Sequence, residues 1–238
     1  MSSIQLVVFD IAGTTVRDNG SVAEAFMAAF RDFDLEVPVD EVKKVMGFRK
    51  IEAVARLLKK FYPEHRDDDV LIDRIHVRFI DRMIAFYRND TALAPFPHTE
   101  RVFSEIKRKG IKIALNTGFT RSITDTILHR LRWDSRNSLI DKVICSDEVA
   151  NGRPHPDMIE VLIEDLGITS PARVLKVGDT EVDVEEGRNA ACGKVVSVTT
   201  GAYTRQQLEA YRPDHIIDDL EELLSILEAS EETGKDNH

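Results

Sequence analysis

The chain of 238 residues has a formal net charge of −10, and 42% of its residues are hydrophobic while 31% are charged. This length and apolar fraction suffice for a large hydrophobic core, either as one domain or as a core with a smaller companion. The negative charge argues against a nucleic-acid backbone or an anionic membrane as the main partner, whereas a small phosphorylated ligand can still bind in a locally basic cleft.

Short apolar segments recur along the chain in the pattern of strands buried on both faces of a parallel sheet. They are residues 4–9, 111–115, 143–145, 174–177 and 195–198, with a shorter sixth at 216–217. Stretches with helical spacing lie between them, at 100–109, 121–130, 156–166 and 182–190. Strands that alternate with helices predict an α/β fold with a Rossmann-like parallel sheet, whose ligands bind beyond the carboxyl ends of the strands.

The segment from residue 17 to residue 94 interrupts this alternation. Its apolar residues recur at helical spacing throughout, and residues 21–33, 39–45, 50–61 and 70–89 are the predicted helices. The Pro95-Phe96-Pro97 sequence marks the return to the sheet. We therefore predict an all-α cap domain, residues 17–94, inserted into a catalytic core made of residues 1–16 and 95–238.

The first chemical motif is Asp10, which follows the first apolar segment and precedes a loop with Gly13 and Thr14. A carboxylate at the end of a buried strand can act as a nucleophile while loop N–H groups face an anion. Taken alone, an aspartate that caps a turn is an equally good interpretation.

Three further motifs follow other predicted strands. Thr117 and Gly118 can offer a hydroxyl and N–H groups to phosphate oxygens. Arg153, beside Pro154, offers a planar set of donors to a phosphoryl group. Asp179 and Asp183 are separated by four positions and can converge on a hard cation such as Mg²⁺. Each motif alone also fits a turn, a surface arginine or a helix cap.

The four motifs in this order resemble the haloacid dehalogenase superfamily, and the resemblance covers nearly the whole chain. It implies a Rossmann-like core with a mobile cap inserted after the first motif. It also implies that Asp10 is the nucleophile, and that Asp10, the backbone carbonyl of Ala12 and Asp179 hold Mg²⁺ with support from Asp183. The groups that the resemblance places around the phosphoryl group are those of Gly13, Thr14, Thr117, Gly118 and Arg153.

Two departures from the usual pattern narrow the family. Most phosphatases of the superfamily have a second aspartate, an acid and base, at the position of Ala12, and most have a lysine at the position of Arg153. A methyl group cannot protonate a leaving group. Ala12 with Gly13-Thr14-Thr15, together with Gly152-Arg153-Pro154, is similar to the phosphonoacetaldehyde hydrolase branch.

That branch uses a cap lysine in a Met-Gly-x-x-Lys pattern, which forms a Schiff base with the substrate aldehyde. The segment Met46-Gly47-Phe48-Arg49-Lys50 matches this pattern at a predicted helix start. The resemblance implies that Lys50 is the Schiff-base lysine and that Met46 and Gly47 contact the substrate. By itself, Lys50 would be interpreted as a solvated residue in a lysine-rich segment.

An iminium on Lys50 would accept electrons from the breaking C–P bond, so the leaving group would need no proton from residue 12. One further departure concerns Ala53, since the branch has a histidine there that assists proton transfer. The substrate is therefore expected to be phosphonoacetaldehyde or a related 2-oxoalkyl phosphonate. The other cap histidines, His65 and His76, are predicted to lie at the surface.

The nearest alternative is a phosphomonoesterase of the same superfamily, in which Lys50 has no role. A non-catalytic protein would have lost the nucleophile or the metal carboxylates, and a phosphoryl mutase would need the acid that Ala12 replaces. Related enzymes dimerise through the cap, and a homodimer is expected here. The two scattered cysteines, the absence of an apolar span and the absence of a leader pattern predict a cytoplasmic protein.

Overall fold

Six strands form one parallel sheet in the computed structural model, which describes residues 3–136 and 138–235. The strands are β1 (Leu6–Phe9), β2 (Lys112–Thr117), β3 (Lys142–Cys145), β4 (Val174–Gly178), β5 (Lys194–Val198) and β6 (His215–Ile217). Their order across the sheet is β3-β2-β1-β4-β5-β6, so the chain winds outward in both directions from β1 and β4. This order confirms the predicted α/β, Rossmann-like fold and places a topological switch point between β1 and β4.

The register of the three central strands determines which residues meet at the carboxyl edge. Phe9, the last residue of β1, pairs with Leu115 on one side and with Val177 on the other. The next residue, Asp10, donates its N–H to the Val177 carbonyl at 3.0 Å. Asp10 therefore leaves the sheet at the level where β2 and β4 also end.

Six helices follow the strands of the core. They are α5 (Thr99–Arg108), α6 (Arg121–Leu131), α7 (Asp157–Asp165), α8 (Glu181–Asn189), α9 (Arg205–Glu209) and α10 (Leu223–Lys235). Alternate residues of β1 enter different layers: Val7 and Phe9 belong to one hydrophobic cluster, and Leu6 and Val8 belong to a second one. The fully buried β1 thus holds helices against both faces of the sheet.

The insertion between β1 and β2 consists of α1 (Ser21–Arg31), α2 (Val39–Lys43), α3 (Lys50–Phe61) and α4 (Asp69–Asn89), with no strand from residue 17 to residue 94. All four helices were predicted, although α1 and α2 each end two residues earlier than expected. Isolated bridges join Val16 to Pro95 and Ala12, so the chain leaves and re-enters the core side by side. The long α4 packs its buried face on α1, where the Phe79 and Phe26 ring centres are 4.3 Å apart.

The strand and helix patterns predicted neither α9 nor α10. For α9 the signal was present, since the Thr204 side chain accepts from the Gln207 N–H in a capping box. Both cysteines are buried and free. Among the described residues, every helix is too short or too polar to cross a lipid bilayer.

Candidate active site

A cavity of ≈ 230 Å³ lies between the carboxyl edge of the sheet and the inserted helices. Its core side is lined by Asp10, Ala12, Gly13, Thr117, Gly118, Phe119, Asp179, Thr180, Gly201 and Ala202. Its other side is lined by Asp18, Gly20, Val22, Ala23, Lys43, Met46, Gly47 and Lys50. The structure thus brings nine of the predicted site residues to one cavity. The other three, Thr14, Arg153 and Asp183, are buried beside it.

Asp10 is buried, with 6% of its surface exposed, at the tip of β1. Its Oδ1 lies 2.7 Å from the Arg153 Nη1. The pKa of Asp10 is raised above its ordinary value, because burial and the neighbouring Asp183 outweigh the lowering effect of Arg153. The ion pair with Arg153 favours the ionised carboxylate that a nucleophile requires.

Asp10, Asp179 and Asp183 form a buried group of carboxylates whose nearest oxygens all lie within 4.8 Å of one another. Asp179 accepts from the Thr14 hydroxyl at 3.2 Å and from the Ala202 N–H at 2.7 Å. Burial, followed by the charges of Asp10 and Asp183, raises the pKa of Asp179 well above its ordinary value. Although burial opposes it, Arg153 and other cations lower the pKa of Asp183 to about 2.

This donor set fits Mg²⁺, a hard cation that binds carboxylate oxygens. Repulsion among the three carboxylates is the kind of strain that a bound divalent cation relieves. Gly13 has φ +85, and a Cβ at this position would lie 2.7 Å from the Asp179 Oδ2. The loop after Asp10 therefore needs glycine both for its left-handed backbone and for its close approach to the carboxylates.

Arg153 is fully buried beneath these carboxylates rather than on the wall of the cavity. Its Nη1 lies 3.1 Å from Asp183, and its Nε lies 3.2 Å from Glu186. Its Nη2 donates to the Asn116 backbone carbonyl at 2.6 Å and to the Asn116 Oδ1 at 2.8 Å. Arg153 therefore ties the ends of β1, β2 and α8 together.

Lys176, in the middle of β4, provides a second buried cation that the sequence analysis did not identify. Its Nζ lies 2.9 Å from Asp183 and 3.3 Å from Glu186, and it donates to the Asn116 Oδ1 at 2.7 Å. Asn116 in turn donates its Nδ2 to both Glu186 oxygens, at 2.8 and 2.9 Å. The available signal was a lysine inside an otherwise apolar strand, since such a charge must find buried partners.

The charges of this group also bear on a metal. Two cations, Arg153 and Lys176, pair with the carboxylates of Asp10, Asp183 and Glu186, and a fourth carboxylate, Asp179, lies beside Asp10 and Asp183. Within the described residues, the Arg153 Nε and Nη1 make no contact with hydrogen-bond geometry, despite their short ion-pair distances. The cluster therefore has an excess of negative charge that a divalent cation would balance, and guanidinium donors that are not fully used.

Lys50 is the first residue of α3 and is 4% exposed. Its Nζ lies 5.2 Å from the centre of the Phe119 ring and 6.0 Å from that of Phe26. Burial lowers the pKa of Lys50 to about 8, against the opposing charges of Asp10 and Asp18. The neutral fraction of the amine near physiological pH is therefore much larger than that of an ordinary lysine, and the amine faces the cavity instead of bulk solvent.

The segment before Lys50 approaches the core closely. A Cβ at Gly118 would lie 2.7 Å from the Gly47 carbonyl oxygen, and the Phe48 carbonyl is nearer still. Arg49 donates from Nη1 to the Ala150 carbonyl at 3.1 Å. Glycine at position 118 thus permits the contact that brings Lys50 over the sheet edge.

None of the histidines in the described part of the chain lines the cavity. Ala53 is fully buried and also does not line it. His65, partly exposed, lies 3.7 Å from Asp68. His76 is partly buried, and burial lowers its pKa. Asp18, in the connection that leads into α1, does line the cavity, although the sequence analysis did not consider it.

Comparison with known proteins identifies the family. The sequence profile of the haloacid dehalogenase-like hydrolases matches residues 4–191. Phosphonoacetaldehyde hydrolase of Paraburkholderia xenovorans (strain LB400) is 31% identical over 227 residues, which cover 90% of this chain and 83% of that protein. Phosphonoacetaldehyde hydrolase of Vibrio cholerae serotype O1 is 34% identical over 225 residues, or 89% and 80% of the two chains.

A solved structure shows the same fold. The crystal structure of a phosphonoacetaldehyde hydrolase-like protein from Oleispira antarctica matches with a TM-score of 0.80 at 23% identity, over 96% of this chain and 93% of that one. The chain therefore belongs to the haloacid dehalogenase-like hydrolases, within the group formed by the phosphonoacetaldehyde hydrolases and their phosphonatase-like relatives.

Proposed function

We propose that the protein hydrolyses the C–P bond of phosphonoacetaldehyde or of a related 2-oxoalkyl phosphonate, with Mg²⁺ as its metal. The observation that carries this proposal is the meeting of Lys50 and Asp10 in one cavity of ≈ 230 Å³, from opposite walls. The cavity is small, and it joins a buried amine to a buried carboxylate. The names of the curated relatives support the same substrate class.

In this proposal residues 17–94 act as the cap, and residues 1–16 and 95–238 act as the catalytic core. The Ala12 carbonyl and the carboxylates of Asp10, Asp179 and Asp183 would hold Mg²⁺. When bound, the ion would neutralise charge on the phosphoryl oxygens. The groups assigned to the phosphoryl group and the remainder of the substrate are those of Gly13, Thr14, Met46, Gly47, Thr117, Gly118 and Arg153.

The reaction begins when the neutral amine of Lys50 attacks the aldehyde carbon, and loss of water gives an iminium. The Asp10 carboxylate then attacks phosphorus, and the C–P bonding electrons pass through carbon to the iminium nitrogen. The leaving group is therefore a neutral enamine rather than a carbanion. Its electrons need no proton at the moment of cleavage, which is consistent with a methyl group at Ala12.

Two hydrolytic steps complete the turnover. Water cleaves the aspartyl phosphate on Asp10 and releases inorganic phosphate. The enamine takes a proton at carbon, and water hydrolyses the resulting iminium to release the aldehyde and the Lys50 amine. Lys50 is buried at the cavity, a position that would limit the access of bulk water to the bound substrate.

A phosphomonoesterase of the same superfamily is the second candidate. The observation in its favour is Ala53, which is buried away from the cavity where the related branch has a histidine. Such an enzyme would use Asp10 and the metal but would leave Lys50 without a chemical role. Dimerisation through the cap and a cytoplasmic location stay predictions.

Borohydride trapping tests the proposal. Protein mixed with phosphonoacetaldehyde and reduced with borohydride is expected to carry a covalent adduct on Lys50, detected by peptide mass spectrometry. Lys50→Arg should lose both the adduct and turnover while keeping its far-UV circular dichroism spectrum. Lys43→Arg is the matched control, because Lys43 lines the same cavity but is exposed, and it should keep the adduct on Lys50.

Asp10→Asn separates the two chemical steps. This variant should still form the imine but should not break the C–P bond, so its trapped adduct should retain phosphorus. Turnover of phosphonoacetaldehyde by Lys50→Arg would refute the Schiff-base mechanism. Rapid hydrolysis of simple phosphate esters with no trapped adduct would favour the phosphomonoesterase.

A further inference from the structure

Asp18 lies in the connection from β1 to α1 and lines the cavity on the same side as Lys50. Two other carboxylates in the described part of the chain also line the cavity, and both of them, Asp10 and Asp179, belong to the candidate metal group. The remaining titratable side chains there are the amines of Lys43 and Lys50. Among the described residues that line the cavity, Asp18 is thus the carboxyl group that is neither the candidate nucleophile nor a candidate metal ligand.

The Asp18 side chain is held in place by the start of α1. Its Oδ1 accepts hydrogen bonds from the Ser21 N–H at 2.8 Å and from the Val22 N–H at 3.3 Å. Both bonds use Oδ1 alone, so Oδ2 keeps its capacity to take a proton. The side chain is half-buried and has a defined orientation at the edge of the cavity.

The charges of Asp18 and Lys50 act on each other. Asp18 raises the pKa of Lys50 against the larger effect of burial, and Lys50 lowers the pKa of Asp18. Burial, the largest effect on Asp18, raises its pKa above the ordinary value for aspartate. A carboxyl group whose pKa is closer to neutrality exchanges protons more readily with an amine of lowered pKa.

We infer that Asp18 is the proton-transfer group for imine formation and imine hydrolysis at Lys50. This inference rests on the proposed Schiff-base function. In the described part of the chain no histidine lines the cavity, and Asp18 would carry out the proton transfer instead.

Protons move between Lys50, Asp18 and the substrate oxygen in both halves of the imine chemistry. The Asp18 carboxylate takes one proton from the Lys50 ammonium, and the neutral amine attacks the carbonyl carbon to give a carbinolamine. Asp18 returns that proton to the carbinolamine oxygen, which leaves as water while the nitrogen lone pair forms the iminium double bond. In the release half, the Asp18 carboxylate takes a proton from the attacking water, which gives the carbinolamine, and passes that proton to the Lys50 nitrogen. As the C–N bond breaks and the aldehyde C=O forms, Asp18 takes the hydroxyl proton and passes it to the departing amine, so that Lys50 leaves as an ammonium and Asp18 is again a carboxylate.

Asp18→Asn is the main test, because asparagine keeps an oxygen for the Ser21 and Val22 N–H groups but cannot carry the proton. The rate of borohydride trapping with phosphonoacetaldehyde is expected to fall by about 100-fold or more. The melting temperature should stay close to that of the wild type. Asp68→Asn is the matched control, since Asp68 caps α4 through the Leu71 N–H at 3.0 Å and does not line this cavity.

Asp18→Ser provides a second test with space for a small acid. Serine also caps helices, and added formate is expected to accelerate imine trapping in this variant but not in the wild type. A merely structural role for Asp18 would not produce that rescue. His76→Gln examines the nearest alternative base, and it should trap at the wild-type rate.

The outcomes separate the two proposals. Wild-type protein that forms no adduct would overturn the Schiff-base function and this inference together. Wild-type protein that forms the adduct, with Asp18→Asn trapping equally fast, would overturn the inference alone. Slow trapping by His76→Gln with normal trapping by Asp18→Asn would assign the proton transfer to His76 instead.

Discussion

The Lys176 ammonium lies 2.9 Å from the Asp183 Oδ1, in the interior of the sheet beneath the candidate metal ligands. Both side chains are almost completely buried, and Asp183 also lies 3.1 Å from Arg153. Because a buried charge without a partner is costly, each of these groups depends on the others. The cation network therefore orients the candidate metal carboxylates and stabilises the fold at the same time.

Lys176→Met should lower the free energy of unfolding by about 3–5 kcal/mol, because it leaves buried carboxylates with one cation fewer. Urea unfolding at neutral pH measures the change. Lys142→Met is the matched control, since Lys142 forms a partly exposed pair with Asp165 at 2.9 Å. Such exposed pairs contribute at most about 1 kcal/mol. Equal, small losses in the two variants would contradict the interdependence of the buried charges.

The reactivity of Lys50 should follow its lowered pKa of about 8. Below that pH the amine is an ammonium and cannot attack an aldehyde, whereas above it the neutral amine dominates. In protein without added Mg²⁺, the rate of borohydride trapping should therefore rise with pH to half of its maximum near pH 8. Asp10→Asn removes a charge that raises the pKa of Lys50, so the midpoint should move to lower pH. A wild-type midpoint near the ordinary lysine value of 10.5, or a midpoint that does not move in Asp10→Asn, would contradict this.

The same lowered pKa affects stability. The folded protein binds fewer protons at Lys50 than the unfolded chain does between about pH 8 and the ordinary value of 10.5. The contribution of Lys50 to the free energy of unfolding thus increases as pH rises through this window.

Asp179→Asn should remove the stabilisation by Mg²⁺ and should not destabilise the metal-free protein. Asp179 is buried beside Asp10 and Asp183, whose charges repel its own. A neutral side chain relieves that repulsion, so the metal-free variant should melt at or above the wild-type temperature while losing activity. At Mg²⁺ concentrations near 100 times the Kd, the wild type should gain about 2.7 kcal/mol.

The control for this experiment is Glu221→Gln. Glu221 belongs to a second, more exposed acidic group with His98 and Asp219, and this variant should keep the Mg²⁺-induced shift in melting temperature. Loss of the shift in Glu221→Gln but not in Asp179→Asn would place the bound ion elsewhere.

Gly118→Ala should separate Lys50 from the sheet edge. The added methyl group would overlap the backbone of Gly47 and Phe48, so the loops must move apart. A displacement of about 1 Å at such a point can cost about 100-fold in rate, and kcat/KM for the phosphonate should fall accordingly. Gly110→Ala is the control: its φ of +75 with no atom within 4 Å predicts about 1–2 kcal/mol lower stability with unchanged activity.

Several features of the site could be predicted from local sequence. Asp10 follows an apolar run that was predicted to be a buried strand, and Lys50 is the first residue of α3, where the helix was expected to begin. The parallel order of β1, β2 and β4 then brings Asp10, Thr117 and Asp179 to one edge. Periodicity and turn residues were sufficient for this, because both depend on short stretches of chain.

The buried charge network could not be predicted in this way. Lys176 and Glu186 were placed on a strand and a helix, but their partner Asn116 comes from a different strand. Likewise, the exclusion of Ala53 from the cavity and the inclusion of Asp18 depend on how the inserted helices pack on the core. Nothing in the local pattern around Ala53 or Asp18 distinguishes them from ordinary surface or core positions.

The sequence by itself determined the six strands, most of the helices between them, the motif at each strand end, and the presence of one candidate nucleophile and one candidate amine. Only the tertiary structure decided that this amine is desolvated, that two buried cations support the carboxylates, and that Asp18 lines the same side of the cavity as the amine. The physical reason is that burial and electrostatic coupling depend on distances between groups that are far apart in the chain, and packing alone sets those distances.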